Sequence, residues 1–342
     1  EQQVPVQLSE NEDMIIHKNA AYLITGGTSG LGLEIAQWLA GKGAGKLVLL
    51  SRSGAKTETS RSAIASMIEN GTDVVVKAMD VCNEQAVKEL LGAIPSDFFP
   101  LRGIFHCAMV LDDGFLATLD EKSFRKVMTP KIAGALHLHK YTQNCPLDFF
   151  VSFSSISSLI GNPGQGNYVA ANAFLDAFAH YRNAQGLPAT TINLGVLSET
   201  GVVSRDEGVQ KLLSEAGILG FSNTEVLDNI EKIIRIKPVQ AGLFHIDWEQ
   251  WRLQQGNVPS RFRKLAGAVT NTVQNNKLQQ LTDILIGMDK NTRHDHLQHL
   301  LVNIFSGILR LSPEKIEVNR GISQLGIDSL MSVEITRTIK SE

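Results

Sequence analysis

The stretch AYLITGGTSGLGLEIAQWLAG, residues 21–41, places a short apolar run before a glycine-rich turn and a segment of helical period. Residues 21–25 have the length and apolar character of a buried strand. The next apolar side chains recur at helical spacing: Leu31, Ile35, Trp38 and Leu39. Glycines between a strand and a helix let the backbone approach a phosphate, and the helix N-terminus offers free N–H groups. The stretch therefore predicts a strand, a phosphate-binding turn and a helix.

The same alternation of strand and helix continues along the chain. Apolar runs follow at KLVLLS 46–51, DVVVKA 73–78, GIFHCA 103–108, LDFFVSFS 147–154, ATTINLG 189–195 and AGLFHI 241–246. Helical periods lie between them at 60–70, 83–93, 121–142 and 167–185. Strands without a polar alternate face are buried on both sides, which is typical of a parallel sheet covered by helices. We expect an α/β fold, a Rossmann-like doubly wound parallel sheet of about seven strands.

The length of 342 residues favours a large domain with a smaller companion, because single cores stop growing near roughly 250 to 300 residues. Residues 1–20 are a polar lead-in, and residues 21–251 hold the strand and helix alternation. Residues 252–291 are rich in Gln, Asn and Lys and are predicted to be a linker. Helical periodicity resumes in residues 292–342, which we expect to form a partial all-α unit.

Composition excludes several classes of protein. A hydrophobic share of 43% with 20% charged residues is that of a folded chain. A net charge of -3 leaves no positive field for nucleic acid. The chain has no long apolar run and no signal peptide at its start, so we expect a cytoplasmic protein without membrane contact. Cys82, Cys107 and Cys145 predict neither a disulfide framework nor a zinc site. His294, His296 and His299 are expected on a solvated helix face, so no metal site is predicted.

The turn and the ends of the next two strands predict the cofactor. The proposed phosphate-binding residues are Thr25, Gly26, Gly27, Thr28, Ser29, Gly30, Leu31 and Gly32. An NAD enzyme places an acidic residue about 20 positions on, whereas this chain has Ser51-Arg52-Ser53 there. A guanidinium and two hydroxyls suit a ribose 2'-phosphate, which favours NADPH. Asp80 and Val81 follow the third strand, where the adenine would lie. The alternatives are a tight turn without ligand and a solvated Arg52.

The segment FSSISSLIGNPGQGNYVAAN holds Ser155, Tyr168 and Asn172, and the last two share one helix face because they are four residues apart. Here the chain resembles the short-chain dehydrogenase/reductase superfamily, most members of which carry lysine at the position of Asn172. The lysine is instead Lys131 in TPKIAGALHLH, 24 residues before Ser155. This exchange is similar to that of the ketoreductase domains of type I polyketide synthases and animal-type fatty acid synthases. The resemblance covers about residues 20–250.

The residue types also fit the chemistry of ketone reduction. Hydride transfer to a ketone places negative charge on its oxygen, so the site needs hydrogen-bond donors and a proton source. Tyr168 would donate the proton and Ser155 a second hydrogen bond. Lys131 would favour the phenolate and bind the nicotinamide ribose, and Asn172 would hold a water for proton resupply. Taken singly, each residue also fits a structural role: a serine cap, a core tyrosine or a surface lysine.

Two further features refine the resemblance. Leu111-Asp112-Asp113 matches the motif of ketoreductases that give the D-configured β-hydroxyl, and Ile160 stands where the opposite class has tryptophan. An ordinary polar loop is the alternative. Met109 and Leu194 depart from the glycine and tryptophan frequent in the family. The variant Ala108-Met109-Val110 resembles iterative, fatty-acid-synthase-like relatives. Residues 198–221 are expected to form a mobile lid.

The stretch LGIDSLM, residues 325–331, resembles the phosphopantetheine attachment motif of acyl carrier proteins, with Ser329 as the modified residue. A serine that starts a helix is also a common N-cap, and the helix dipole there favours a phosphodiester. The carrier fold is a four-helix bundle, and the sequence stops at Glu342 within the second helix. We therefore expect a piece of a longer multidomain chain.

Together these patterns predict NADPH-dependent reduction of a 3-oxoacyl thioester on an acyl carrier protein. The resemblance implies 4'-phosphopantetheine on Ser329, the carrier domain and other megasynthase domains as partners, and a homodimeric parent. Two alternatives stay open at this point. One is a free-standing reductase of small ketones, and the other is a non-catalytic module with a reductase fold.

Overall fold

The computed structural model describes residues 16–93, 100–201, 203–254, 258–266, 284–309 and 311–319, with seven single positions from 321 to 339. The predicted attachment residue Ser329 and most of the helix expected to start near it lie outside the described residues. The same is true of most of the lead-in and half of the predicted linker.

Ten strands lie within the described ranges: β1 (Ala21–Thr25), β2 (Lys46–Ser51), β3 (Asp73–Ala78), β4 (Leu101–His106), β5 (Phe149–Ser155), β6 (Thr190–Leu194), β7 (Val196–Leu197), β8 (Ile218–Phe221), β9 (Gln240–Leu243) and β10 (His245–Ile246). Seven of them form one sheet in the order β3-β2-β1-β4-β5-β6-β9. Every neighbouring pair in this sheet is parallel. The predicted doubly wound sheet of seven strands is confirmed.

The α-helices of the described ranges are α1 (Gly30–Gly41), α2 (Glu58–Glu69), α3 (Glu84–Ala93), α4 (Glu121–Thr142), α5 (Ser157–Ile160), α6 (Gly166–Ala184), α7 (Glu207–Glu215), α8 (Asn223–Ile236), α9 (Trp248–Gln254) and α10 (Lys290–Leu309). Buried side chains of α1, α2 and α8 share one core on one face of the sheet. Those of α3, α4 and α6 share a second core on the other face. The sheet is therefore the middle layer of three.

Strand β1 illustrates how the sequence produces this layering. All five of its residues are buried. Tyr22 and Ile24 pack into the first core, whereas Ala21 and Leu23 pack into the second. Successive side chains of a strand point to opposite faces, so a continuous apolar run can satisfy both cores. Each large apolar side chain buried in this way contributes about 1.5–3 kcal/mol.

The run AGLFHI at 241–246 is predicted as one strand, but the structure divides it between two sheets. Strand β9 joins the parallel sheet, whereas β10 pairs antiparallel with β8 in a small sheet that also holds β7. The division falls at Phe244, whose ring lies 6.2 Å from that of Trp248 and 6.4 Å from that of Phe262. Phe244 thereby leaves the main sheet for a third core, which consists of Ile156, Ile246, Trp251, Val258, Phe262 and Ala266.

Residues 258–266 pack against this third core, so the chain stays in contact with the sheet domain beyond Trp251. The predicted domain boundaries, with a linker starting at residue 252, remain a prediction. Helix α10 covers the predicted helical stretch 293–309. Across the described part of the chain, no helix combines the length and the apolar character that crossing a membrane requires.

Candidate active site

The predicted site residues gather at the carboxyl edge of the parallel sheet. Thr25, Ser51 and Ser155 are the last residues of β1, β2 and β5. Lys131 lies in α4, and Tyr168 lies in the first turn of α6. The carboxyl edge of an open α/β sheet is where such folds bind ligands, next to the point at which the strand order reverses. Here the order reverses between β1 and β4.

The turn after β1 has the shape of an anion cradle. A Cβ atom at Gly32 would overlap the carbonyl oxygen of Gly26, so the close return of the chain requires glycine there. Gly30 has φ 51°, and a Cβ built on it meets no atom within 4 Å, so the start of α1 faces open space. Ser29 is the N-cap of α1 but makes no side-chain capping bond. The free N–H groups of this helix start fit a pyrophosphate.

The remaining turn residues hold the turn against the neighbouring strands. Gly27 N–H donates to the carbonyl of Leu50 at 3.2 Å. The buried hydroxyl of Thr25 accepts from the N–H of Ala108 at 3.1 Å. Thr28 is buried and Leu31 is half-buried against the first core. The predicted phosphate-binding residues thus form one connected turn.

The residues predicted to meet the adenosine end follow β2 and β3. Arg52 and Ser53 are exposed, and Ser51 Oγ donates to the carbonyl of Gly54 at 3.2 Å. Asp80 Oδ1 accepts from the N–H of Cys82 at 2.9 Å, and Val81 is buried.

Arg52 and Asp80 both act on the thiol of Cys82. Burial and Asp80 raise the pKa of this thiol to about 12, and the Arg52 guanidinium opposes them. Arg52 is therefore exposed to solvent and within electrostatic range of the loop that follows β3.

Lys131 is buried, with 3% of its surface exposed. Its Nζ donates to the carbonyl of Phe153 at 2.7 Å and lies 5.7 Å from the centroid of the Tyr168 ring. Burial lowers the pKa of Lys131 to about 8, while Cys107 and Asp176 oppose this change. The structure thus brings the ammonium of α4 to the phenol of α6.

Tyr168, at the start of α6, lies beside Ser155, at the end of β5. Burial raises the pKa of the Tyr168 phenol, and hydrogen bonding by Asn172 and Ser155 works in the opposite direction. Ser155 Oγ accepts from the N–H of Ser157 at 3.1 Å, which fixes the orientation of the hydroxyl. A raised pKa keeps the phenol protonated at neutral pH.

Asn172 is fully buried. Its Nδ2 donates to the carbonyl of Tyr168 at 2.8 Å. Its Oδ1 has no hydrogen-bond partner in the part of the chain that the structure describes. A buried acceptor without a partner costs about 1–3 kcal/mol, so this position fits a water molecule.

The loop predicted to control stereochemistry is tied to the start of α6. Gln165 Nε2 donates to Asp113 Oδ2 at 2.8 Å, and Asn167 Nδ2 donates to the carbonyl of Asp112 at 2.7 Å. Asp112 also forms an ion pair with Lys126 at 3.1 Å. Leu111 is half-buried. Gln165 and Asn167 received no role in the sequence prediction, although both stand within three residues of Tyr168.

The sequence prediction does not include two polar residues of the site, the buried His106 and the half-buried Asp176. His106 lies 2.8 Å from Thr25 Oγ1 through Nδ1 and 3.4 Å from the carbonyl of Lys131 through Nε2. Burial and the nearby Lys131 charge lower the pKa of His106 to about 4. Asp176 lies one turn after Asn172 on the same helix face. That helical spacing is a signal by which Asp176 could be found, whereas His106 stands in an apolar run that hides its role.

The three cysteines are free and half-buried. The three histidines of α10 are exposed. Within the described ranges, no three or more His, Cys, Asp or Glu side chains are grouped so as to hold a metal ion. The residues predicted for the expected lid, 198–221, hold β8, α7 and a short 3-10 helix (Val203–Arg205).

Comparison with known families gives two matches. Residues 20–199 match the model described as KR domain, and residues 299–342 match the model described as phosphopantetheine attachment site.

Similar proteins of known sequence are much longer than this chain. A mycocerosic acid synthase-like polyketide synthase of Mycobacterium tuberculosis is 32% identical over 98% of this chain, which spans 15% of that relative. The hybrid PKS-NRPS synthetase pyvA of Aspergillus violaceofuscus is 33% identical over 92% of this chain, which spans 8% of it.

Solved structures with the same fold include ketoreductases of polyketide synthases. An A-type ketoreductase from a modular polyketide synthase is 34% identical, with a TM-score of 0.67 over 70% of this chain and 51% of that structure. The first ketoreductase of the tylosin PKS is also 34% identical, with a TM-score of 0.63 over 74% of this chain and 53% of that structure. Together with the predicted exchange of lysine and asparagine, these matches confirm the resemblance: the chain belongs to the KR domain family, the ketoreductases of polyketide synthases, and continues into a phosphopantetheine attachment region.

Proposed function

We propose that this domain reduces a 3-oxoacyl thioester, held on an acyl carrier protein, to the 3-hydroxyacyl thioester with NADPH as reductant. Membership of the family implies an oxidoreductase, and the proposal adds the substrate and the cofactor. The observation that carries it is the placement of the Lys131 ammonium 5.7 Å from the Tyr168 ring. A phenol that donates a proton beside a fixed cation is the arrangement that ketone reduction requires.

Each catalytic role follows from the chemistry of one side chain. Tyr168 would donate its proton to the substrate oxygen, and Ser155 would donate a second hydrogen bond to the same oxygen. Lys131 would stabilise the phenolate that remains. The Oδ1 atom of Asn172 would hold the water that returns a proton to the site. When bound, the reduced nicotinamide supplies the hydride.

Membership of the KR domain family implies a nicotinamide cofactor, and we propose NADPH in particular. The turn residues 25–32 would hold the pyrophosphate at the start of α1. Ser51, Arg52 and Ser53 would bind the ribose 2'-phosphate, supported by the exposure of Arg52. Asp80 and Val81 would contact the adenine. Lys131 and Tyr168 would contact the nicotinamide ribose.

The D-configured hydroxyl is the stereochemistry that we propose for the product. Leu111, Asp112 and Asp113 form the motif on which this assignment depends. The hydrogen bond between Asp113 and Gln165 supports it, because it links the motif to the helix that carries Tyr168. A loop bonded in this way can direct the side from which substrate enters.

The wider setting of the domain is also a proposal. Residues 21–251 would form the reductase, residues 252–291 a linker and residues 292–342 the start of a carrier domain. The family match of residues 299–342 implies a phosphopantetheine group, and we propose Ser329 as its attachment point. The relatives are multidomain synthases, so further synthase domains and a homodimeric parent in the cytoplasm fit this setting.

The test of this function compares tethered and free substrates. The chain is assayed for NADPH oxidation with a 3-oxoacyl thioester on phosphopantetheine and with a small untethered ketone. The proposal predicts a much higher kcat/KM for the thioester and a D-configured product in chiral chromatography. Turnover of the free ketone alone would indicate a free-standing type of reductase, and no turnover of either would indicate a non-catalytic module.

A further inference from the structure

Helix α6 presents three polar side chains along one face. Tyr168, Asn172 and Asp176 are spaced by four residues each, so they lie one above the other. The first two belong to the proposed catalytic set. Asp176, on the next turn, has no role in that set.

The carboxylate of Asp176 accepts hydrogen bonds from two neighbouring elements. Ser158 Oγ of α5 donates to Oδ2 at 2.6 Å, and Thr191 Oγ1 of β6 donates to Oδ1 at 3.2 Å. Asn193 Nδ2 of β6 lies 2.9 Å from Oδ1 and 3.0 Å from Oδ2. These donors hold one turn of α6 against the end of the sheet.

The same donors contact the segment that carries Ser155. Ser158 Oγ also lies 2.9 Å from the carbonyl oxygen of Ser155. Asn193 Nδ2 lies 3.1 Å from Ser154 Oγ, and Ser154 Oγ donates to the carbonyl of Asn172 at 3.2 Å. The hydrogen bonds therefore close a circuit through α6, β6 and β5. Two of the hydrogen bonds reach the backbone carbonyls of Ser155 and Asn172, which are proposed catalytic residues.

Hydrogen bonds hold the carboxylate of Asp176, and it forms no ion pair within the part of the chain that the structure describes. Among the described residues, no lysine, arginine or histidine lies within 4.0 Å of its carboxylate. The hydrogen bonds around Asp176 extend toward Lys131, because Ser154 directly follows Phe153, whose carbonyl accepts from Lys131 Nζ at 2.7 Å. Burial lowers the pKa of Lys131, and Cys107 and Asp176 oppose this change. The other titratable groups that face Lys131 are His106 at the end of β4, Cys107 directly after it, and Tyr168 of α6. None of these three groups is a carboxylate, whereas Asp176 is one.

We propose that Asp176 is a positioning residue of this site, which clamps the Ser155 segment to α6 and supplies the counter-charge of the Lys131 ammonium. Ser155 and Tyr168 must both reach one substrate oxygen, although they come from different elements. A misplacement of about 1 Å can cost on the order of a hundredfold in rate. The expected effect of Asp176 on kcat rests on the proposed function. The expected effect of Asp176 on the titration of Lys131 can be measured without turnover.

The variant Asp176→Asn tests both parts of the proposal. The amide keeps the size of the side chain, removes its charge and turns an NH2 group toward the donors of Ser158, Thr191 and Asn193. We expect kcat to fall by at least about tenfold, which is about 1.4 kcal/mol of transition-state stabilisation. The dissociation constant for NADPH should stay the same, because the phosphate-binding turn is untouched. Asp228→Asn removes an exposed carboxylate from α8, on the opposite face of the sheet, and is the matched control.

The decisive readout is the titration of Lys131 in the full chain without substrate. Lysine labelled with carbon-13 at Cε is followed by NMR as pH rises, and Lys131→Arg assigns the signal. The midpoint should be lower in Asp176→Asn than in wild type and unchanged in Asp228→Asn. An equal midpoint in all three proteins would overturn the counter-charge. Because this readout needs no turnover, an inactive wild type would contradict the proposed function and leave this test intact.

The clamp is tested separately by Ser158→Ala, which removes one donor and keeps the charge of Asp176. We expect kcat to fall while the titration midpoint of Lys131 stays at its wild-type value. Unchanged kcat in Ser158→Ala would overturn the clamp. If circular dichroism shows that Asp176→Asn does not fold, Ser158→Ala still tests the clamp.

Discussion

The Nζ atom of Lys131 lies 5.7 Å from the centroid of the Tyr168 ring and is held there by a 2.7 Å hydrogen bond to the carbonyl of Phe153. The ammonium is thus fixed by the strand that carries Ser155 and faces the helix that carries Tyr168. Strand β5 ends and α6 begins at the same edge of the sheet. The position of one buried cation therefore depends on the packing of β5 against α4 and α6.

Burial of Lys131 predicts a loss of activity at alkaline pH. Its pKa is about 8 in the folded protein, below the ordinary value of 10.5, so the ammonium is lost as pH rises through about 8. The phenol of Tyr168, whose pKa is raised, does not titrate in that range. We expect kcat/KM to decline above about pH 8 in a pH–rate profile, which reports groups of the free enzyme.

The variant Lys131→Met should lower kcat by about a hundred- to a thousandfold and remove that alkaline decline. Lys88→Met removes an exposed lysine from α3 and serves as the control. A decline with the same midpoint in Lys131→Met would assign it to another group.

The exposure of Arg52 predicts discrimination between the two nicotinamide cofactors. In Arg52→Ala the KM for NADPH should rise by about tenfold or more, because a charge-assisted hydrogen bond to phosphate contributes about 1.5–3 kcal/mol. The KM for NADH should change little. Arg61→Ala removes an exposed arginine that pairs with Glu58 at 2.7 Å, and it should change neither constant. Equal effects of Arg52→Ala on both cofactors would refute the 2'-phosphate assignment.

Burial of His106 predicts a loss of stability in mild acid. Its pKa is lowered from 6.5 to about 4 in the folded protein, so the unfolded chain binds more protons between these values. Stability is therefore present above about pH 6.5 and is lost as pH falls toward 4. Between pH 7 and pH 5 this group alone lowers the free energy of unfolding by about 2 kcal/mol.

Urea unfolding followed by tryptophan fluorescence measures this effect, since Trp38, Trp248 and Trp251 all lie in the sheet domain or its third core. The variant His106→Gln should be less stable at pH 7 but should show a pH dependence smaller by that amount. His294→Gln, at an exposed position of α10, should leave the pH dependence unchanged. The same dependence in His106→Gln as in wild type would contradict the burial argument.

Two helical glycines, Gly134 in α4 and Gly92 in α3, are packed differently, which predicts opposite effects of replacing them by alanine. A Cβ atom at Gly134 would lie 2.9 Å from His106 Cε1 and 3.0 Å from Val81 Cγ1, whereas at Gly92 it would meet no atom within 4 Å. Gly134→Ala should destabilise the protein by about 1–3 kcal/mol through overpacking. Gly92→Ala should stabilise it by about 0.5–1 kcal/mol through helix propensity. Thermal unfolding of both variants checks the signs, and a stabilising Gly134→Ala would show that His106 has room to move.

The sequence predicts the sheet well because its strands are apolar on both faces, and β1 divides its side chains between the two cores. The sequence also indicates some of the candidate site residues, since a spacing of four residues places Tyr168 and Asn172 on one face of a helix. It does not predict which sheet an apolar run joins, and the prediction of one strand at 241–246 is wrong. The contacts of Phe244 that divide it come from distant parts of the chain.

Polar contacts over long sequence distances are likewise hidden from pattern analysis. His106 bonds to Thr25 across 81 positions, and nothing in its local sequence marks it. The proposed role of Asp176 depends on hydrogen-bond donors on β6 and α5, which are not its neighbours in the sequence. Such residues are defined by packing, which composition and periodicity do not encode.

The central claim is tested most directly by comparing wild type with Tyr168→Phe in NADPH oxidation with a 3-oxoacyl thioester. Wild type should turn over, and Tyr168→Phe should lose at least about a hundredfold in kcat because the proton donor is gone. The dissociation constant for NADPH, measured by quenching of tryptophan fluorescence, should change by no more than a few-fold. Turnover by Tyr168→Phe at the wild-type rate would contradict the account.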